Sequence, residues 1–178
     1  MFTRIKYFFR KRCLRKRSSK EPTGIRPLSQ IHSAVTFIKV ENKDFNEIKD
    51  AVLRFYKEKN IKGEIFFFDF RKIGKEEKVL TDTAKTIFSK DLNWFGKPLR
   101  EKAEVMLKSE ADVFISLIKG RCFPIEYMAK CSKAKFKIGR EQLAGRTFDL
   151  VLKEPKGKTF LETEIFNELK TYLEKIAE

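Results

Sequence analysis

The stretch Ala111–Gly139, ADVFISLIKGRCFPIEYMAKCSKAKFKIG, constrains the fold more than any other part of the chain. Its first segment, Val113-Phe114-Ile115-Ser116-Leu117-Ile118, is an apolar run of the length of a buried strand. A Lys119-Gly120-Arg121 turn follows, then a short helical pattern opened by Pro124 with Ile125, Met128 and Ala129 on one face. Phe136-Lys137-Ile138 supplies a second strand. Strand, crossover helix and strand within about thirty residues form the βαβ unit of a parallel sheet.

The same alternation recurs on both sides of this unit. Ala34–Val40 reads as a strand, and Asp44 to Glu47 as a helix start, with Asp44 as N-cap and Glu47 reaching back. Phe45, Ile48, Val52 and Phe55 put one apolar face on that helix, Asn60 to Gly63 closes it, and Glu64–Phe70 returns as a strand. Arg71–Val79 is charged and reads as a surface loop, and Thr86–Ser89 as a short strand. A helix is expected from Pro98 to Ser109, with Leu99, Ala103, Met106 and Leu107 inward. Phe148–Leu152 offers a further strand, after which Pro155 and Gly157 break the chain. Thr159 to Glu162 forms a capping box for a last helix through Ile176, whose core face is Leu161, Ile165, Leu169, Leu173 and Ile176. The pattern predicts an α/β fold: a three-layer Rossmann-like or flavodoxin-like parallel sheet of five to six strands with helices on both faces. With 18 phenylalanines in the chain, its core is expected to be built largely of Phe.

The N-terminus departs from this regularity. Arg4, Lys6, Arg10, Lys11, Arg12, Arg15, Lys16, Arg17 and Lys20 place nine cations in the first twenty residues, with no acid before Glu21. The remaining 31 cations face 25 acids, so the net charge of +15 falls to +6 once this segment is set aside. Phe2, Ile5, Phe9 and Cys13 recur at helical spacing with Phe8 beside them, so residues 1–20 read as a basic amphipathic arm or helix. Arg10-Lys11-Arg12 interrupts the apolar centre that a secretory signal requires, while the Arg-rich, acid-free composition also suits an organellar transit peptide. Residues 21–33, with Pro22, Gly24 and Pro27, read as a linker, and 34–178 as a single α/β domain. No apolar run approaches the ~18 residues needed to span a bilayer.

The chemistry-bearing residues are few. Neither a dinucleotide fingerprint nor a phosphate-loop pattern follows any strand, and there is no GxSxG elbow. Cys13, Cys122 and Cys131 form an odd set without metal-ligand spacing, which suits a reducing cytoplasm. The lone histidine, His32, lies at the end of the linker, and Asp69, Asp112 and Glu126 are not set apart from other acids. No catalytic residue, metal or cofactor is therefore assigned. In open parallel sheets ligands collect beyond the carboxyl ends of the strands, where this chain places Lys72, Lys119, Arg121 and Arg140. These make a basic crevice suited to phosphate. Trp94, in the unusual Asp91–Pro98 stretch DLNWFGKP, is either a stacking platform or, with Phe95, an anchor of its loop on the core.

The Lys/Arg-rich start, DLNWFGKP, and ADVFISLI followed by FPIEYMAKCSKAKFKIG together resemble an uncharacterised bacterial family of short basic α/β proteins, a domain of unknown function. That resemblance implies a fold and carries over no functional residue. Asp112 to Gly139 is also similar to the N-terminal Rossmann-like half of heptosyltransferase-like glycosyltransferases, enzymes with two such halves. This chain has room for one half, so the likeness implies architecture and argues against an intact sugar transferase.

The expectation is a non-enzymatic cytosolic protein that binds structured or ribosomal RNA through the cationic arm. Cations interleaved with Phe and Tyr supply phosphate contacts and stacking without base-edge readout. Two other readings predict different chemistry: an enzyme or small-ligand binder taking a phosphorylated metabolite or nucleotide in the crevice, and attachment of the arm to an anionic membrane through Phe2, Ile5, Phe8 and Phe9.

Overall fold

Six parallel strands pair in the order β3-β2-β1-β4-β5-β6 in the computed structural model, which describes residues 2–41, 43–72, 79–154 and 157–176. The strands are β1 Ser33–Lys39, β2 Lys62–Asp69, β3 Thr86–Phe88, β4 Val113–Ser116, β5 Phe136–Gly139 and β6 Leu150–Val151. The helices are α1 Phe2–Arg17, α2 Phe45–Glu58, α3 Arg100–Leu107, α4 Phe123–Cys131 and α5 Glu162–Lys175. This is the Rossmann strand order rather than the flavodoxin one, with the switch between β1 and β4. The expected loop at Arg71–Val79 and the break at Pro155 fall mostly or wholly outside the described residues, as do Asn42 and the side chain of Phe2.

Alternation along strands buried on both sides divides the core into two layers. Ala34, Ile38, Ile65, Phe67, Ile115 and Ile138 face α2 and α5. Val35, Phe37, Phe66, Phe68 and Phe114 face α3 and α4. Phe37 sits at the centre of the second layer, 4.9 Å from the Phe114 ring and 5.5 and 5.8 Å from those of Phe66 and Phe68. Phenylalanines thus build both layers, and four of those carried by the strands, Phe37, Phe66, Phe68 and Phe114, cluster on the α3/α4 side.

Helix ends show where local reading and tertiary contact part. Asp44 precedes α2 but makes no side-chain cap there; its Oδ2 accepts from the Thr163 amide at 2.8 Å and so caps α5. The capping box at Thr159–Glu162 does not form. Leu161 precedes α5, Glu164 Oε2 accepts the Leu161 amide at 2.7 Å, and Glu162 is turned inward. Leu161 and Leu99, both expected inside, are exposed, because each helix begins one or two residues later than the apolar spacing suggests. The end of the basic segment and the linker are held to the body: Ser19 N donates to Lys130 O at 2.7 Å, Gly24 N to Lys135 O at 2.9 Å, and Thr23 Oγ1 to Asp149 Oδ1 at 2.8 Å.

Candidate nucleic-acid interface

The basic N-terminal segment is a helix laid against the domain. α1 has no acid in its first turn, and Arg15, Lys16 and Arg17 in its last turn suit the negative end of the helix dipole. Its inner side carries Cys13 and Leu14, which pack on the α3/α4 layer. The Arg10 guanidinium lies 4.8 Å over the Phe123 ring, and its Nε donates to the Phe95 carbonyl at 2.6 Å. Phe9 meets Trp94 at 5.1 Å and Phe95 at 6.1 Å.

The receiving surface is the loop from Asp91 to Pro98. Asn93 Oδ1 accepts the amides of Phe95 and Lys97, Asn93 N donates to Lys97 O, and Leu92 bridges Pro98, which closes a tight turn. Gly96 holds φ +90°, so the turn needs glycine for its backbone, and a Cβ there would stand 3.1 Å from Arg10 Nη2, close against the docked arginine. The two aromatics of this loop have different roles. Phe95 packs on the core layer as the anchor, and Trp94 is 52% exposed.

Arg4, Lys11, Arg12, Arg15, Lys16, Arg17 and Lys20 are exposed, and Lys6 is half-buried. Among the described residues none of the nine N-terminal cations is ion-paired with a carboxylate. Between α1 and α4 runs a groove of about 770 Å³ into which Arg10, Lys11 and Arg15 reach from one wall and Arg121 from the other. Its apolar floor includes Leu14, Phe123 and Leu143, and the lining acid Glu126 is already paired with Lys130 at 3.2 Å. The β4–α4 and β5–β6 connections that line it follow the carboxyl ends of β4 and β5, the side on which open parallel sheets collect ligands. The N-terminus of α4 opens at the same edge, so the positive end of its dipole adds to the cations there.

The other predicted crevice cations do not join this group. Arg140 has a side chain only 1% exposed; it donates to Glu162 Oε1 at 2.6 Å, to Glu154, and to the Leu117 carbonyl at 3.2 Å. It is a buried strut between the end of β5 and the start of α5, closed to a ligand. Lys119 is paired with Glu154 at 2.8 Å, and Lys72 is exposed at the border of the described residues. The Lys119 hydrogen bond, with help from Arg140, holds the Glu154 carboxyl below its usual range. Burial pushes Glu162 up, and the adjoining Asp44 pushes it further. This network of Asp44, Arg140, Glu154 and Glu162 has no sequence signature, because its members are separated along the chain.

The cysteines are not poised for nucleophilic chemistry. Burial raises the thiols of Cys13 and Cys122, and raises that of Cys131 to about 11. Among the described residues no group of His, Cys, Asp and Glu side chains is arranged to hold a metal, and no helix is long and apolar enough to cross a membrane.

The model of a family of unknown function, DUF6913, matches residues 5–176, which takes in nearly all of α1 together with the sheet. No curated protein and no solved structure matches the chain.

Proposed function

We propose, for a chain that belongs to the DUF6913 family of unknown function, that its role is to bind RNA rather than to catalyse a reaction. The contact surface is the outer face of α1 together with the groove that α1 forms with α4. The observation that carries this reading is a docked helix whose exposed cations make no ion pair with a carboxylate among the described residues and are joined across the groove by Arg121. Fixed on the body by Arg10 and Leu14, these cations lose little freedom on meeting a phosphate backbone, which favours binding. Guanidinium and ammonium contacts to phosphate fix register without reading sequence, so folded RNA of the ribosomal kind in the cytoplasm is the substrate class.

The test is fluorescence anisotropy with a labelled structured RNA at 50 and 200 mM salt, comparing the native chain with a Lys11→Gln, Arg12→Gln, Arg15→Gln, Lys16→Gln variant. If six or more cations meet phosphates, native affinity falls by about three decades over that range and the variant loses much of the slope. A flat salt response, or equal affinities, overturns the reading. Point substitutions are preferable to removing residues 1–20, since that deletion would strip Cys13 and Leu14 from the core.

A second reading rests on the groove itself, whose volume of about 770 Å³ and apolar floor also suit a phosphorylated small ligand. It predicts that nucleotides or sugar phosphates raise the melting temperature and that Arg121→Ala abolishes the shift.

A further inference from the structure

Docking of α1 gathers an exposed aromatic cluster that lies outside the groove between α1 and α4. Phe8 is 59% exposed and Trp94 52% exposed, although both stand beside other rings. Phe8 meets Phe9 edge-on at 5.7 Å, and Phe9 in turn meets Trp94 at 5.1 Å with the planes inclined by 72°. Trp94 also meets Phe95 at 5.3 Å and 82°, so both of its ring neighbours stand nearly perpendicular to it. The indole is braced in place and half of its surface remains open. A rigid aromatic of this kind loses little entropy when a second flat ring is laid on it.

The cations around the cluster indicate what that second ring belongs to. On α1, Phe8 lies one turn from both Arg4 and Arg12, with Lys11 three residues on, so ring and charge share one face of the helix. An interfacial membrane helix segregates its aromatics from its cations and sinks the apolar face about 5–10 Å below the headgroups. Sinking Phe8 here would take Arg4 and Arg12 with it. A single-stranded nucleic acid has the opposite requirement, bases to be stacked and phosphates to be neutralised within the same few ångströms.

We infer that Trp94 and Phe8 form a stacking platform for unpaired bases, with Arg4, Lys11 and Arg12 taking the flanking phosphates. The inference rests on the RNA-binding reading and narrows it to single-stranded or looped segments. Duplex regions keep their bases in the stack and offer the platform nothing.

Trp94 is the sole tryptophan, so its emission reports on this site in the native full-length chain. Titration with a twelve-nucleotide single-stranded RNA is expected to quench the emission saturably, and a blunt duplex of equal length to leave it nearly unchanged. By anisotropy, Trp94→Ala and Phe8→Ala are each expected to weaken single-strand binding by about five- to one-hundred-fold with duplex binding unmoved. Both side chains are exposed, and circular dichroism checks that each variant folds. Equal quenching by duplex and single strand, or RNA binding that both substitutions leave intact, overturns the platform while RNA binding stands. No binding to either RNA overturns both readings. A blue-shifted, enhanced emission on phosphatidylglycerol vesicles, with no quenching by RNA, overturns the platform and assigns the face to lipid.

Discussion

The Nε of Arg10 donates to the carbonyl of Phe95 at 2.6 Å, across 85 residues of sequence. The same guanidinium covers the Phe123 ring at 4.8 Å, so one arginine ties α1 both to the turn carrying Trp94 and to the first turn of α4. A cation of the basic segment is thereby spent on position, and the cations around it remain available for a ligand.

Arg10→Ala is expected to lower stability by about 1.5–3 kcal/mol, the range for hydrogen bonds from charged groups. Urea unfolding measures the loss, and amide exchange over residues 11–17 should quicken as α1 detaches. Arg12→Ala, at an exposed position one half-turn away, should shift stability by no more than about 0.5 kcal/mol.

Arg140 and Arg121 should separate stability from binding. Arg140→Ala leaves the buried Glu162 without its guanidinium and Glu154 with Lys119 alone, and is expected to cost about 3–5 kcal/mol, with RNA affinity unchanged where the variant is still folded. Arg121→Ala should leave the melting temperature nearly unmoved and reduce RNA affinity uniformly across sequences, with a salt slope shallower by about one. Calorimetry and anisotropy on the two variants make the comparison.

Asp112 joins the start of β1 to the start of β4. Its Oδ2 accepts from the His32 amide, the Ser33 amide and the Ser33 hydroxyl, each at 3.0 Å. Burial pushes this carboxyl up, but those hydrogen bonds, aided by Lys135, outweigh it and leave it below the usual range. The folded form therefore holds its proton less tightly than the unfolded chain. The associated stability is complete above an unfolded value of about 3.9 and is lost as pH falls through the lower folded value. Asp112→Asn is expected to cost about 1–2 kcal/mol at pH 7 and to flatten the acid limb of a urea-midpoint profile between pH 2 and 5. Asp44 and Asp69 are depressed as well, so part of the acid sensitivity should survive the substitution.

At the end of β5, a Cβ on Gly139 would overlap the ring of Phe148. Gly139→Ala is expected to destabilise by about 1–3 kcal/mol through overpacking, and Gly139→Ala with Phe148→Leu to recover part of that loss. Thermal unfolding of the single and double variants checks the coupling.

The positions of the helices and strands were legible because each depends on short-range pattern. Phe45, Ile48, Val52 and Phe55 mark α2 by spacing alone, and all four are buried. The six strands likewise fall within the apolar segments that mark them, give or take two residues. Caps were less legible. Asp44 and Glu162 lie at the starts of helices and fit local boxes, yet each satisfies a partner more than 20 residues away in the chain, because a buried carboxylate is stabilised more by an amide or guanidinium out of water than by an exposed turn.

By itself, then, the sequence determined that this chain alternates strands and helices, that its core is rich in phenylalanine and that its positive charge is concentrated at the N-terminus. The strand order, the docking of α1, the burial of Arg140 and the outward turn of Trp94 were decided by tertiary structure alone. The reason is physical. Hydrophobic periodicity is set by neighbours three or four residues away, whereas the partner of a charge or an aromatic ring is set by which surfaces the sheet brings together. Arg140 and Arg121 are both arginines in the connection that follows a strand, and only the packing of α5 over one and the open groove beside the other make the first a strut and the second a candidate contact.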